Sequence, residues 1–408
     1  MERIWLALRK NFLILRKSNY QRRKTDYSDM AYCSNCGHEL AEGSLFCGHC
    51  GHRVVNGTPS AGGTKSSSSS FVDGLNDYIG NKGSVKLNWK DLFTDVFKKH
   101  TREEAEDIFI CGTTKTTPKL SEVSDSWPKP WLYSRVLLGF IMTYFLLYVC
   151  SVWFENPNAF PGLIIIGSFA VPFTTLVLFM EVNAFKNISV YDVMKFFMVG
   201  GCASLVVTLF LYNLELVDTD LSSTWGAMMV GIIEELGKLA IVYYLVKRLS
   251  SCNFILSALL VGACVGAGFA AFESAGYAMG PMLEIANLAG AYGMGLPIGD
   301  MVELPTKIIY LRGVLAPGGH VAWAAISGAA LVIAKGAGPL TTDVFKKSQF
   351  WKIFAIPVVL HGLWDAPILE GYLKMTALIV MVWIVVLIFI NMGLDEAKRL
   401  KSMSNETL

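Results

Sequence analysis

An all-α polytopic membrane body behind a small cysteine-rich N-terminal module is the fold class the sequence predicts. Three observations predict it. The 408 residues are 53% hydrophobic and only 17% charged, against about 25% charge in ordinary soluble domains. The deficit is concentrated: residues 1–130 are polar and charged, whereas residues 131–392 are a string of long apolar runs, a soluble head on a membrane body. The head also carries the doubled pattern C-x2-C-x10-C-x2-C. A net charge of +2 is too small to indicate a nucleic-acid partner, and none is expected.

The chain divides into an N-terminal segment (1–30), a cysteine-rich module (31–54), a flexible linker (55–80), an amphipathic helix with its connector (81–130), the membrane domain (131–392) and a tail (393–408). The opening "MERIWLALRKNFLILRK" is a short apolar stretch broken by basic residues, with no small-residue cleavage site after it. The head is therefore expected to stay in the cytosol. In the module, Cys33, Cys36, Cys47 and Cys50 set two pairs of sulfurs on two tight turns, with Gly37 and Gly51 just after. Four thiolates make the closed tetrahedral site of structural zinc. A segment this small cannot fold on apolar burial, so the metal supplies the folding energy. The module resembles the short zinc ribbons found at the ends of many bacterial and archaeal membrane proteins, and a cytosolic partner is one role for it. His38, His49 and His52 are read as surface histidines, and Cys111, Cys150, Cys202, Cys252 and Cys264 as inert thiols.

"NGTPSAGGTKSSSSS" (56–70) cannot bury anything and reads as a tether. In "KLNWKDLFTDVFKKH" (86–100) the apolar residues recur at helical spacing. Such a helix either lies on the inner membrane surface or docks on the body.

The body predicts about eight transmembrane helices, near 134–154, 161–180, 194–214, 225–246, 254–278, 318–334, 354–371 and 373–392. Lysines and arginines fall in every second loop: Lys129 and Arg135, then Lys186 and Lys195, Lys247 and Arg248, Lys335 to Lys352, and Lys398 to Lys401. That alternation predicts a multi-pass protein with both termini in the cytosol, and the expected location is the plasma (inner) membrane. The outer segment 279–317 mixes Lys307 and Arg312 with Glu284, Asp300 and Glu303, and reads as a partly re-entrant or surface-lying cap.

Ionisable residues inside spans are costly and usually functional. Here they fall at one depth. Glu234 is about nine residues, or about 13 Å, below the outer end of its helix. Glu273, His320, His361 and Asp365 come from three further segments to the outer half of the membrane. Lys238 lies i,i+4 from Glu234 and i,i+3 from Glu235, within reach of both carboxylates. Asp365 is i,i+4 from His361 and could fix its tautomer. Gly262, Gly266 and Gly268 thin their helix for close packing.

In order, "EELGK", "FAAFE", "GHVAWAAISG" and "HGLWDA" resemble the motifs of the PrsW family of intramembrane proteases, distant kin of the CAAX prenyl proteases. The family's EExxK falls on Glu234, Glu235 and Lys238, its FxxxE on Phe269 and Glu273, and its histidine motifs on His320 and His361. Asp365 stands where relatives often have Asn. The resemblance covers about residues 134–392. It implies an endopeptidase that cleaves a single-pass membrane protein near its outer face, the best-known family role being site-1 cleavage of an anti-sigma factor. Glu234 or Glu235 would activate water, His320 and His361 would position it or stabilise the oxyanion, Glu273 and Asp365 would orient the histidines, and Lys238 would tune the acid pair. Two mechanisms stay open, one using glutamate alone and one using a catalytic zinc on the histidines and a glutamate. Two non-enzymatic readings stand beside them: an ion or proton pathway through the glutamates, and a membrane scaffold with the zinc ribbon as its binding module.

Overall fold

The apolar runs form helices, and the helices end where polar clusters interrupt them. The structure is a computed structural model, and it describes residues 71–81, 85, 87–113, 115–291, 298–368 and 371–406. The N-terminal segment and the expected zinc site of Cys33, Cys36, Cys47 and Cys50 lie outside the described residues.

Ahead of the membrane body stand α1 (Phe71–Ile79), the single turn α2 (Asp91–Thr94) and α3 (Arg102–Phe109). Two expectations change here. The end of the expected linker is helical, with Ile79 fully buried. The continuous helix over 86–100 is instead broken after one turn, because a stronger start signal follows. Thr101 and Glu104 form a reciprocal capping box that begins α3, and the Thr101 N–H holds the Glu104 carboxyl below its usual range. His100 turns back to the Asp95 carbonyl at 2.8 Å and stacks on Trp131 with ring centres 3.8 Å apart. The segment docks on the body through buried Leu92, whose carbonyl accepts from the Tyr133 hydroxyl at 3.0 Å. Phe97, 92% exposed, points away.

The body comprises α4 (Leu132–Val152), α5 (Phe160–Val182), α6 (Val190–Tyr212), α7 (Thr224–Arg248), α8 (Ile255–Ala291), α9 (Ile298–Leu315), α10 (His320–Lys335), α11 (Ser348–Asp365) and α12 (Tyr372–Glu406). The expected count of eight spans is corrected. Among the described residues, six stretches are long and apolar enough to cross a membrane: Leu132–Val152, Pro157–Val182, Val190–Tyr212, Ile255–Asn287, Met301–Lys335 and Tyr372–Ser404. Helices α7 and α11 form where spans are expected but fall short in composition. Glu234, Glu235 and Lys238 interrupt the first, and Gln349, Lys352, His361 and Asp365 dilute the second. Both pack among the apolar helices. The fifth stretch runs through α9 and α10, joined by a 3-10 turn at Ala316–Gly318. Segment 279–317 is accordingly mostly helical, and α9 packs on α5 and α8 around Phe160, Leu163, Met282 and Ile309. The expected tail is a continuation of α12 as far as Glu406.

Helix α8 is the hub, and its glycines explain why. Gly262 and Gly266 lie against the backbone of Ala324 and His320 in α10, and Gly268 lies against Phe197 and Gly201 in α6. A side chain at any of them would collide with backbone, so the two crossings exist only because these positions lack one. The first of these contacts fixes the depth at which His320 enters the interior. The described cysteines are free thiols, and burial pushes that of Cys111 up, away from reactivity.

Candidate active site

Helix α7 begins at Ser223, whose hydroxyl accepts from the Gly226 N–H at 2.9 Å. It ends in Lys247 and Arg248, where basic residues suit the helix C-terminus. Between these ends Glu235 and Lys238 are completely buried, and Glu234 is 8% exposed. A buried charge is tolerated only when paired and hydrogen-bonded. The partners come from four other helices.

The Lys238 ammonium donates to Glu235 Oε1 at 2.7 Å and to His320 Nδ1 at 2.8 Å, and stands 3.5 Å from Glu234 Oε2. It also lies over the Phe269 ring, 4.3 Å from its centre. An ammonium can only donate. His320 therefore accepts at Nδ1 and donates from Nε2 to Glu273, 3.0 Å away. Glu273 is held from behind by Arg312 of α9, which also bonds Ser274 Oγ at 2.8 Å and lies over the Tyr277 ring.

His361 of α11 donates from Nδ1 to Glu235 Oε1 at 2.9 Å. Its other nitrogen faces Asp365 Oδ2 at 3.3 Å and Glu234 Oε2 at 3.7 Å. In a neutral ring that nitrogen would meet two carboxylates as a bare lone pair, so the arrangement calls for a second proton or a cation. Trp323 stacks on the ring with centres 4.3 Å apart and closes the inner side. The Tyr212 hydroxyl, from the last residue of α6, donates to Glu234 Oε1 at 3.2 Å.

All the residues singled out in the body thus come together: Glu234, Glu235, Lys238, Glu273, His320, His361 and Asp365 form one connected cluster. Sequence reasoning missed Tyr212, Ser274, Arg312 and Trp323. Arg312 counted only as a charge in the outer segment. Its one signal was being basic in a loop expected to be non-basic. Trp323 lies inside a quoted motif, but an aromatic residue in an apolar run carries no signal of its own.

One ligand atom each from Glu234, His320 and His361 lie within 4.8 Å of one another. Two histidines and one glutamate are a donor set of catalytic zinc that leaves a coordination position open. Glu234 Oε2 is buried without a hydrogen-bond partner. Carboxylates stand behind both rings, Glu235 on His361 and Glu273 on His320, as outer partners do for metal-bound histidines. The donor set fits a divalent metal ion once the Lys238 ammonium gives up His320 Nδ1, the lone pair the metal would take.

Fold and site together define a multi-pass membrane protein with a buried Glu–His cluster able to ligate a metal. Residues 190–392 match the family described as PrsW family intramembrane metalloprotease, and residues 32–54 match the zinc-ribbon domain. The chain carries a membrane domain of the PrsW intramembrane protease family and an N-terminal zinc-ribbon module. No curated protein and no solved structure matches the chain.

Proposed function

We propose that the protein is an intramembrane endopeptidase of the plasma membrane that cleaves a single-pass membrane protein near its extracytoplasmic face. The convergence of Glu234, His320 and His361 from three helices, each backed by a further polar partner, carries this reading. The charge distribution supports the orientation, with both termini in the cytosol. Lys195, Arg248 and Lys398 mark basic helix ends, and Glu215, Asp218 and Asp220 an acidic loop. Tyr212, just before that acidic loop, reaches Glu234, which supports cleavage near the outer face.

A divalent cation held by Glu234, His320 and His361 would supply Lewis-acid polarisation of water and of the scissile carbonyl at neutral pH. The chain's own residues do the rest. Glu235 and Glu273 fix the two rings by accepting from Nδ1 of His361 and Nε2 of His320. Lys238 offsets the repulsion of the adjacent glutamates. Asp365, whose side chain is 25% exposed, is the acid of the cluster most open to substrate. It takes the proton of the attacking water and passes it to the leaving amine. Trp323 and Phe269 exclude bulk water from the inner side.

A glutamate-only mechanism has one observation in its favour. Lys238 already sits between Glu235 and His320 as a built-in cation. In that version Glu234, whose Oε2 has no hydrogen-bond partner, is the general base. The family resemblance makes an anti-sigma factor the first substrate class to test, and the zinc ribbon a binding module for a cytosolic partner.

The test compares membrane-protein N-termini in cells carrying the wild type or Glu234→Gln/Glu235→Gln at equal protein level. A new N-terminus just outside a single-pass protein's span, made only by the wild type, is expected. Identical N-termini under several envelope stresses would overturn the endopeptidase reading.

A further inference from the structure

A cleft lies against the C-terminal end of α7, away from the charged cluster. A cleft of about 580 Å³ opens between α6 and α7, within the ~300–1,000 Å³ span of small-molecule sites. Its walls are apolar, formed by Val199, Ala203, Ile241 and Leu245, and its mouth carries Lys195 and Arg248. It faces outward from the bundle, since Val199 is 64% exposed and Tyr244 54% exposed. The α6 wall is a π-helical segment, Phe196–Gly200, a distortion frequent at functional sites.

The charges select the occupant. Lys195 and Arg248 are both exposed, and neither has a carboxylate within ion-pair distance among the described residues. The acid lining the cleft, Asp192, accepts from the Ser189 hydroxyl at 2.9 Å, as part of the cap of its own helix. An apolar slot open sideways to the hydrocarbon, with two cations at its basic end, complements one acyl chain and one phosphate. Basic pockets between helices on the cytoplasmic side bind anionic headgroups in this way. Soluble phosphate would leave the apolar walls bare, and a neutral lipid would leave the cations unanswered.

We propose that this cleft binds an anionic phospholipid of the cytosolic leaflet. The acyl chain lies along Ala203, Ile241 and Leu245, and the phosphate meets Lys195 and Arg248. Ile241 is three residues beyond Lys238, so the lipid braces α7 just beneath the charged cluster, about 10–15 Å from it at the leaflet end. The inference rests on the orientation given by the basic helix ends and is independent of the proteolytic reading.

The test is native mass spectrometry of the full chain in neutral detergent, titrated with dioleoyl-phosphatidylglycerol, dioleoyl-phosphatidylcholine or inorganic phosphate. The wild type is expected to hold phosphatidylglycerol at least tenfold more tightly than phosphatidylcholine, and not to bind phosphate. Lys195→Gln/Arg248→Gln is expected to weaken phosphatidylglycerol about thirtyfold, and Lys195→Glu/Arg248→Glu more than that. Ala203→Phe, which fills the slot and keeps the charges, is expected to abolish the adduct. Unchanged adducts in the charge variants and in Ala203→Phe would overturn the proposal. So would binding indifferent to the headgroup, which would make the cleft a groove for neutral lipid or an apolar helix. Phosphate binding as tight as the lipid would overturn it as well.

Discussion

The middle and the C-terminal end of α7 carry charge in opposite ways. At its C-terminal end Lys247 and Arg248 are exposed and rest on the tyrosines one turn earlier. They reach water by their own length and need nothing from the rest of the fold. Glu234, Glu235 and Lys238 are buried, and Tyr212, Phe269, His320 and His361 from four other helices complete the site. Charge in a membrane helix is therefore informative according to its partners. The terminal pair suits topology, whereas the buried trio is costly enough to mark a site.

The same substitution made in the two regions should separate them most visibly. Lys238→Met leaves two adjacent buried carboxylates without their cation and is expected to destabilise the fold by about 3–5 kcal/mol. Lys247→Met should stay within about 0.5 kcal/mol. Unfolding of both variants in one detergent measures the difference, and equal midpoints would erase the distinction drawn here.

A second pair lies on α8. Gly266→Ala puts a methyl against the His320 backbone, whereas a methyl at Gly276 meets nothing within 4 Å. The first is expected to cost about 1–3 kcal/mol by overpacking and to shift His320. The second should stabilise the helix by up to about 1 kcal/mol. Stability of the two variants, with proteolysis of a mapped substrate for the first, checks both.

Arg312 touches Glu273 and not the metal-binding trio. Arg312→Gln is expected to lower metal affinity at the membrane site about 10–100-fold, as loss of an outer partner does, with the fold retained. Competition with a metal chelator reads this directly. The smallest effect belongs to the exposed Lys346–Asp343 pair. Lys346→Ala should cost no more than about 1 kcal/mol and leave proteolysis unchanged.

Much of the site was legible because its motifs are local. Glu234, Glu235 and Lys238 share a helix face, and His361 and Asp365 stand one turn apart. Depth counting then aligned the helices. The contributions of Tyr212 and Arg312 were not legible, since they meet Glu234 and Glu273 across 22 and 39 residues and no spacing rule reaches that far. The pairing of His361 changed for the same reason. Sequence spacing offered Asp365, and the fold adds Glu235 from α7. The span count erred at α7 and α11 because Glu234, Glu235 and Lys238 in the first, and Gln349, Lys352, His361 and Asp365 in the second, lower their hydropathy. The break in 86–100 was hidden by a good apolar repeat, which the capping box at Thr101 and Glu104 overrides.

The most direct measurement of the central claim is metal content per full-length chain, for the wild type, His361→Ala and Cys33→Ser/Cys36→Ser. The account predicts two metal ions in the wild type and one in each variant, with proteolysis lost only in His361→Ala. A single metal that vanishes with the cysteines, is unaffected by His361→Ala and is not needed for cleavage would contradict a metal centre on Glu234, His320 and His361.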